Sequence, residues 1–120
     1  MVNQGRKISG GKYHKQKKRK SYERAGNVRV VKLAAKKTKI IRGMGGTRKT
    51  VSLSQNTVNV VKNGKCKVAK IKTVIETPSS RFLARQNVLV KSAIIDTDLG
   101  KVRITNRPSQ EGIVQGVLLD

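Results

Sequence analysis

From residue 50 onward, apolar and polar residues alternate along three short stretches. These stretches are T-V-S-L (50–53), T-V-N-V-V (57–61) and K-V-R-I-T (101–105). A period of two is the pattern of a β-strand with one buried and one exposed face. The alternation predicts three inward-facing pairs: Val51 with Leu53, Val58 with Val60, and Val102 with Ile104.

A longer candidate strand covers residues 65–76, which are rich in Val, Ile and Thr. Its inward pattern changes phase near Ala69, which predicts a β-bulge close to that residue. Asn63 and Gly64 separate this strand from the preceding one. Because both residues tolerate positive φ, they predict a tight two-residue hairpin.

Other stretches complete the expected architecture. P-S-S-R-F-L (78–83) is the best helix start, of about two turns, since proline sets φ and a serine can cap the helix. V-V-K-L-A-A-K-K (30–37) fits a strand or a helix, and Leu99-Gly100 predicts a second tight turn. Many short strands with regular turns predict a mainly β fold, a small antiparallel barrel or sandwich with at most one short helix.

The first 27 residues lack such patterning. Ile8 is their only branched aliphatic residue after Val2, and four glycines interrupt them. A segment of this kind buries too little apolar surface to offset its ordering entropy, so alone it should be disordered. We therefore expect three parts: a basic, extended N-terminal arm (1–27), a connecting segment (28–37) and a compact β domain (38–120).

The charge balance of the chain indicates the kind of partner that it binds. The chain carries 28 Lys and Arg against 6 Asp and Glu, for a net charge of +22 and a pI near 11.2. Residues 1–49 hold 17 of the basic residues and one acid, Glu23, whereas residues 50–120 hold 11 basic and five acidic residues. Such self-repulsion indicates a polyanionic partner, and the pI is typical of nucleic-acid binding.

A membrane is the competing polyanion. No segment reaches the ~18 apolar residues of a spanning helix, and no amphipathic helix carries Trp or Phe anchors. The stretch M-V-N-Q-G-R-K (1–7) has no signal-peptide core. We therefore expect no membrane partner.

Cys66 is the only cysteine and has neither a second thiol nor a nearby histidine. An internal disulfide is impossible, and a zinc site is not indicated. We expect Cys66 to be a buried free thiol in a reducing, intracellular compartment.

The run K-Y-H-K-Q-K-K-R-K (12–20) has six full charges in nine residues. A solvated tail or a nuclear-import signal would account for such a run. Tyr13 and Tyr22, however, interleave with the charges and are suited to stacking on bases or sugars, while glycines let the backbone approach phosphates. These features favour RNA contact, and we expect the arm to become ordered only in the polyanion it penetrates.

The stretch G-M-G-G-T-R-K-T (43–50) nearly matches a phosphate loop of the form G-x-x-x-x-G-K-[ST]. Arg48 stands where the last glycine belongs, and the next residues predict a strand instead of the helix that would hold phosphates. A flexible turn without function is one alternative to a nucleotide-binding loop. We favour a Gly-rich hairpin that contacts an RNA phosphate through Arg42, Arg48 and Lys49.

Catalytic chemistry has little support in the sequence. Asp96 and Asp98 would share a strand face, and paired carboxylates of this kind can bind magnesium or act in acid–base catalysis, but they lie beside a predicted turn. The single histidine, His14, has no acidic neighbour to orient it. We expect no enzyme, no cofactor, no metal and no small-molecule substrate.

Arg81 and Arg85 flank Phe82 on the predicted helix. Residues at i and i+4 share one face, so the pair is placed to meet a second RNA backbone. An ordinary solvated face is the alternative.

The chain resembles the archaeal and eukaryotic "eight-e" family of small-ribosomal-subunit proteins, ribosomal protein S8e, nearly end to end. The resemblance is carried by R-K-I-S-G-G-K-Y (6–13), K-K-R-K-S-Y-E (17–23), R-G-M-G-G-T-R-K (42–49) and, most specifically, the tract from residue 67 to residue 118. Thr47 stands where the family usually has asparagine, and residues 27–37 match least. The large insertion of eukaryotic members is absent, which indicates an archaeal type.

The resemblance implies a β-barrel-like domain with an arm, bound in the cytoplasmic ribosome to small-subunit ribosomal RNA and beside neighbouring small-subunit proteins. The implied role is structural, supporting subunit assembly and translation. With the contacts expected above, the candidate RNA-binding residues are Arg6, Lys7, Lys12, Tyr13, His14, Lys15, Lys17, Lys18, Arg19, Lys20, Arg24, Arg42, Arg48, Lys49, Arg81 and Arg85.

A protein that coats double-stranded DNA is the competing interpretation. Its charge should spread over the folded surface, with a dispensable arm. The concentration of basic residues in residues 1–49 argues against it.

Overall fold

The computed structural model describes residues 5–13 and 17–119, and most of their regular structure is β-strand. This part of the chain contains eight strands and one short helix: β1 (Lys32–Leu33), β2 (Lys37–Arg42), β3 (Arg48–Gln55), β4 (Thr57–Lys62), β5 (Lys65–Glu76), α1 (Arg81–Arg85), β6 (Ile94–Thr97), β7 (Gly100–Ile104) and β8 (Gln115–Leu118). The predicted mainly β fold with at most one short α-helix is confirmed.

Strands β4 to β8 close into a five-stranded barrel in chain order. Each consecutive pair is antiparallel, whereas β4 and β8 close the barrel as a parallel pair. The parallel pair follows from the strand number, because five strands of alternating direction bring a first and a last strand of the same direction together. The predicted small barrel is therefore confirmed, with one parallel seam that the prediction did not include.

A second, three-stranded sheet has the order β1–β3–β2, with β1 parallel and β2 antiparallel to β3. The Ser52 N–H lies 3.1 Å from the Pro108 carbonyl oxygen and 3.0 Å from that of Glu111, so β3 is tied to the loop before β8. Val51 and Ser52 are both fully buried, while Leu53 is only half-buried. The inward pair predicted for β3 therefore holds for Val51 alone, because the loop covers the other face of the strand.

The barrel core is aliphatic. The inward pairs predicted on β4 and β7 are confirmed: Val58 with Val60, and Val102 with Ile104. The core cluster consists of Val31, Val58, Val60, Ala69, Ile71, Val74, Leu89, Ala93, Ile95, Val102, Ile104 and Val114.

The predicted bulge lies further along β5 than expected. Ala69 and Ile71 are both buried and keep a period of two, and the next buried residue is Val74. The pairing of β5 with β6 shifts register between Ile71 and Thr73 and again after Val74. A bulge on β5 is therefore present, but it lies beyond Ile71, where the Val74 N–H donates to Asn87 Oδ1 (3.1 Å) instead of to a strand neighbour.

The Asn63-Gly64 hairpin is confirmed, with φ of 47° at Asn63 and 74° at Gly64. Positive φ at both central residues is characteristic of a two-residue hairpin turn whose twist matches that of the flanking strands. The turn sets Lys62 opposite Lys65 and Val61 opposite Cys66. Cys66 is exposed, so its predicted burial was wrong; the register places it on the outside of the barrel with Val61.

The segment from 30 to 37 joins the barrel. Val31 is buried in the core, and its carbonyl oxygen accepts a hydrogen bond from Leu89 N–H at 2.8 Å. The Leu33 N–H donates to the Asn87 carbonyl oxygen at 3.1 Å. This stretch, ambiguous in the sequence, thus contains β1 and ends at the first residue of β2.

The loop before β8 is fixed by Asn106, whose side chain is largely buried. Its Nδ2 donates to Glu111 Oε2 (2.9 Å) and to the Ile113 carbonyl oxygen (2.8 Å), and its Oδ1 accepts from Gln115 N–H (3.0 Å). These bonds turn the chain so that β8 reaches β4. A satisfied buried amide of this kind positions the closing strand.

The helix is shorter than predicted, at five residues, and begins at Arg81 after a turn at Pro78. Ser80 occupies the N-cap position, but its side chain makes no capping hydrogen bond. The second turn predicted at Leu99-Gly100 is present one residue earlier, at Asp98-Leu99, and Gly100 begins β7. Within residues 5–13 and 17–119, no helix is long and apolar enough to span a membrane.

Candidate nucleic-acid interface

The described arm residues are all exposed, both in 5–13 and in 17–30. The radius of gyration of the chain is 20.7 Å, whereas a compact chain of this length has about 14 Å. The arm therefore projects from the barrel and presents its charges to solvent.

The first part of the arm forms a local turn. Arg6 pairs with Lys12 in an isolated antiparallel bridge, and Lys7 N–H donates to the Gly11 carbonyl oxygen at 2.8 Å. Arg6 Nη1 donates to the Gly10 carbonyl oxygen at 3.1 Å. Three candidate cations thus lie close together with no carboxylate among residues 5–13.

Tyr13 lies next to this turn, with Lys7 Nζ 5.8 Å from its ring centroid. That distance is near the outer limit of a cation–π contact, so the contact contributes little at an exposed site. Tyr13 remains 45% exposed and Tyr22 83% exposed, so both rings are open to a stacking partner. Two further candidates, His14 and Lys15, lie outside the described residues.

The second part of the arm folds around Glu23. Lys17 Nζ donates to Glu23 Oε1 at 2.9 Å, and Lys20 N–H donates to Glu23 Oε2 at 3.0 Å, which closes a 3-10 turn over Ser21–Glu23. The Lys17 hydrogen bond, and then that of the Lys20 N–H, lower the pKa of Glu23 below its usual 4.5, so it is ionised at neutral pH. The remaining cations of this segment, Lys18, Arg19, Lys20 and Arg24, are exposed.

The Gly-rich stretch is the tip of the β2–β3 hairpin, as predicted, and not a strand–loop–helix phosphate loop. Gly45 and Gly46 have positive φ, and the Gly43 N–H donates to the Thr47 carbonyl oxygen at 2.6 Å. Arg42 lies directly opposite Arg48 at the base of this tip. Like charges placed directly across two strands are destabilising, so an anion between them would relieve the repulsion.

Lys49 does not join this pair. It follows Arg48 on β3 and so points to the other face of the strand, where Nζ donates to Gln110 Oε1 at 2.6 Å. There it lines a shallow groove with Arg48, Lys36 and the acidic Glu111. Arg48 thus faces Arg42 across the hairpin and also lines the groove that contains Lys49.

Arg81 and Arg85 are exposed on α1 and line one shallow concavity with Ala84. Glu76 lines the same concavity, and its carboxylate lowers the positive potential there. Of the predicted sites, this is the one least suited to a phosphate.

The sequence analysis did not select the lysines of the β4–β5 hairpin. Lys62, Lys65 and Lys67 line one concavity at the end of the barrel, together with Leu99 and Leu118. Their signal was visible in the sequence, because the inward positions of V-N-V-V-K-N-G-K-C-K change from valine to lysine as the strands approach the turn. Lys37 and Lys39, exposed on β2 near Arg42, were also passed over.

The carboxylates considered for catalysis lie apart from any metal-ligand set. Asp98 Oδ1 lies 3.6 Å from Lys72 Nζ in the turn, and Asp96 faces Lys101 across the β6–β7 pair. Among the described residues, no three His, Cys, Asp or Glu side chains are grouped as metal ligands.

A closed aliphatic barrel with an exposed cationic arm and a like-charged hairpin tip defines a class, that of small basic β proteins suited to polyanions. The comparison with protein families is more specific, because the model of the family described as Ribosomal protein S8e matches residues 2–119. The chain therefore belongs to the ribosomal protein S8e family, as its sequence motifs predicted. This family consists of structural ribosomal components, so the chain is not classed as an enzyme.

Two curated archaeal relatives agree with this assignment. The chain is 34% identical over 116 residues to "Small ribosomal subunit protein eS8" of Methanocella arvoryzae, covering 95% of this chain and 93% of the relative. It is 38% identical over 116 residues to the protein of the same name in Nanoarchaeum equitans, covering 95% and 91%. Both relatives are archaeal, in accord with the archaeal type predicted from the missing insertion.

Proposed function

We propose that this chain is a structural constituent of the small ribosomal subunit in the cytoplasm, where it binds and stabilises small-subunit ribosomal RNA. The observation that carries the proposal is the family match over residues 2–119, which includes the arm as well as the barrel. The names of the two archaeal relatives support the assignment to the small subunit.

The arm supplies most of the binding free energy in this proposal. The cations of the arm in residues 5–13 and 17–27 are exposed, so phosphates can approach them from several sides. Lys and Arg that neutralise phosphates release condensed counterions, which favours binding without reading sequence. Tyr13 and Tyr22 add stacking on bases or sugars.

The folded domain fixes the register of the arm on the RNA. Arg42 and Arg48 present a paired cationic site beside a flexible glycine tip, and arginine can contact a phosphate with two parallel hydrogen bonds. Arg81 and Arg85 form a weaker contact, and neighbouring small-subunit proteins cover further parts of the surface. Such contacts orient the protein and carry little sequence specificity.

Salt-dependent RNA binding tests the proposal. In the arm variant, Gln replaces Lys17, Lys18, Arg19 and Lys20. In a control variant with the same loss of charge, Gln replaces Lys70, Lys72, Lys91 and Lys101. With transcribed archaeal small-subunit ribosomal RNA, we expect the slope of log K against log salt to fall by about 3 units in the arm variant, since each contact contributes roughly 0.7 to 0.9. The affinity at 0.15 M KCl should fall about 100-fold.

The control should lose no more than a few-fold in affinity. Equal losses in the two variants would assign binding to overall charge and remove the arm from the mechanism. Equally tight binding to duplex DNA of the same length would favour the DNA-coating alternative. Sedimentation of lysates treated with deoxyribonuclease provides the cellular measurement, because a subunit protein migrates with the small-subunit particle.

A further inference from the structure

We propose that the end of the barrel at the β4–β5 turn is a second RNA-backbone site, formed by Lys62, Lys65 and Lys67. This inference rests on the proposed RNA binding and names a contact that is independent of the arm. The three side chains line one concavity, whose remaining lining residues are Val60, Asn63, Leu99 and Leu118. None of the lining residues is acidic.

The first argument is positional. Lys62 lies directly opposite Lys65, and Lys67 lies directly opposite Val60. Because side chains alternate along a strand, these lysines share a face with the buried Val58 and Ala69. They therefore extend the inward face of the barrel beyond the point where the core ends.

The opposite face of the hairpin is apolar and exposed at the same level. Val61 is 41% exposed, Val68 is 71% exposed, and Cys66 is also exposed. The usual pattern is inverted here, with lysines on the inward face and apolar residues outside. A local inversion of a patterning rule in an otherwise consistent strand pair is typical of functional sites.

The Asn63-Gly64 turn fixes the register that places the lysines on the inward face and the apolar residues on the outward face. A register shift of one residue would exchange the two faces and bury the apolar side. The Asn63-Gly64 turn prevents that shift, because its two positive φ values define a two-residue loop with Lys62 and Lys65 as the closing pair. The backbone thus keeps the two ammonium groups on facing positions, although like charges on opposed residues repel each other.

The second argument is a comparison with the other hairpin tip. At the β2–β3 tip, Arg42 faces Arg48 beside a glycine turn, and at the β4–β5 tip Lys62 faces Lys65 beside another. Both arrangements cost stability in the free protein, and both are relieved by an anion placed between the two cations.

The chemistry of the lining favours a phosphodiester backbone. Lysine is a compact charge suited to phosphate, and Leu99, which is 45% exposed, offers an apolar surface to a ribose or base. Asp98 is the acidic residue next to Leu99 in the sequence, and its Oδ1 lies 3.6 Å from Lys72 Nζ. An acidic protein segment is the alternative occupant, and the measurement with RNA alone distinguishes it from a phosphodiester backbone.

The test uses the full-length chain with Lys62, Lys65 and Lys67 changed to Gln. A matched control changes Lys70, Lys91 and Lys101 to Gln; these lysines are exposed and line no part of this concavity. With transcribed small-subunit ribosomal RNA, we expect the slope of log K against log salt to fall by about 2 units relative to the control, and the affinity at 0.15 M KCl by about 10-fold or more.

A measurement of stability separates an RNA contact from a structural role. Because the substitutions remove the repulsion between Lys62 and Lys65, the thermal midpoint at low salt should stay the same or rise. A loss of affinity together with a lower midpoint would assign the lysines to the fold and overturn the proposal.

The outcomes for this site and for the proposed function are distinct. If the triple variant binds as the control does while the arm variant is weakened, only the second site is wrong. If wild type prefers duplex DNA to ribosomal RNA, the proposed function itself fails. A defect that appears only during reconstitution with the other small-subunit proteins, and not with RNA alone, would assign the site to an acidic protein partner.

Discussion

The barrel is stabilised by burial of apolar side chains, whereas the described part of the arm is not. In residues 5–13 and 17–30 every described residue is exposed, whereas the barrel surrounds a cluster of aliphatic residues that includes Ile95 and Val102, both fully buried. The barrel is stabilised by removing apolar surface from water, at roughly 25 cal/mol per Å². The arm has no such term, and its only described ion pair is the exposed one between Lys17 and Glu23.

This difference teaches where each part obtains its order. The barrel residues are ordered by one another, so the barrel is specified by the chain itself. The described arm residues form local turns but no core, and in the proposed function phosphates would relieve the repulsion between their like charges. If so, changes in the arm and in the barrel should have separable effects.

Deletion of residues 1–26 should have the largest effect and should separate the two parts fully. It removes nine basic residues and no side chain that the structure buries. Ribosomal RNA affinity at 0.15 M KCl should fall about 1,000-fold or more, given the salt dependence of several phosphate contacts. The thermal midpoint, followed by circular dichroism, should change by no more than about 2 °C. Unchanged affinity would show that the arm is not needed for binding.

Replacing a glycine with alanine should act in the opposite way, on the barrel alone. A Cβ at Gly116 would clash with the Val102 side chain and lie 2.8 Å from the Arg103 carbonyl oxygen. Overpacking of this kind costs about 1–3 kcal/mol, so Gly116→Ala should lower the free energy of unfolding by that amount in urea titrations.

Gly26→Ala is the matched control in the arm. Nothing lies within 4 Å of a Cβ at Gly26, and its φ is outside the left-handed region, so stability should be unchanged. Equal effects of the two substitutions would contradict the distinction between a packed barrel and an unpacked arm.

Glu23→Gln should have the smallest effect on RNA affinity. It tests whether the arm is already ordered before it binds. An exposed ion pair contributes little to stability, so losing the contact between Glu23 and Lys17 should have a small effect on the arm. The substitution also frees Lys17 and removes a negative charge, and both changes favour binding to RNA. We expect RNA affinity to rise about two- to three-fold. Asp96→Asn, which removes one negative charge at a residue outside the candidate RNA contacts, provides a charge-matched control.

A fall in affinity on Glu23→Gln would mean that the turn pre-orders the arm for RNA. The pH dependence of the turn provides a second measurement. Since hydrogen bonds lower the pKa of Glu23, the contact is fully present above the usual value of 4.5 and is lost as the pH falls through the lowered pKa. The amide signals of residues 20–23 in NMR spectra should report that loss.

Sequence reasoning worked where one or two neighbouring residues decide the outcome. The Asn63-Gly64 turn followed from the tolerance of both residues for positive φ, and the bounds of β5 followed from its Val, Ile and Thr content. The inward pairs on β4 and β7 followed from alternation. The candidate cations of the arm could be selected in the same way, because exposure there needs no partner.

It failed where the face of a strand or its neighbours matter. Cys66 was expected inside, yet the register of β4 and β5 places it outside. The bulge was expected near Ala69, and it lies slightly further along β5, beyond Ile71, where the Asn87 side chain accepts a hydrogen bond from Val74 N–H. The RNA contact of Lys49 remains a prediction, and alternation on β3 turns this lysine toward Gln110.

The sequence by itself determined the charge, the lack of a core in the arm, the strand content and the family, because each of these depends on composition or on short-range order. Only the tertiary structure decided that five strands close through a parallel pair, that Val31 enters the core and that three lysines meet at one end of the barrel. The reason is that alternation gives each strand two faces without saying which is buried. That choice is made by partners far away in the chain, when the barrel closes.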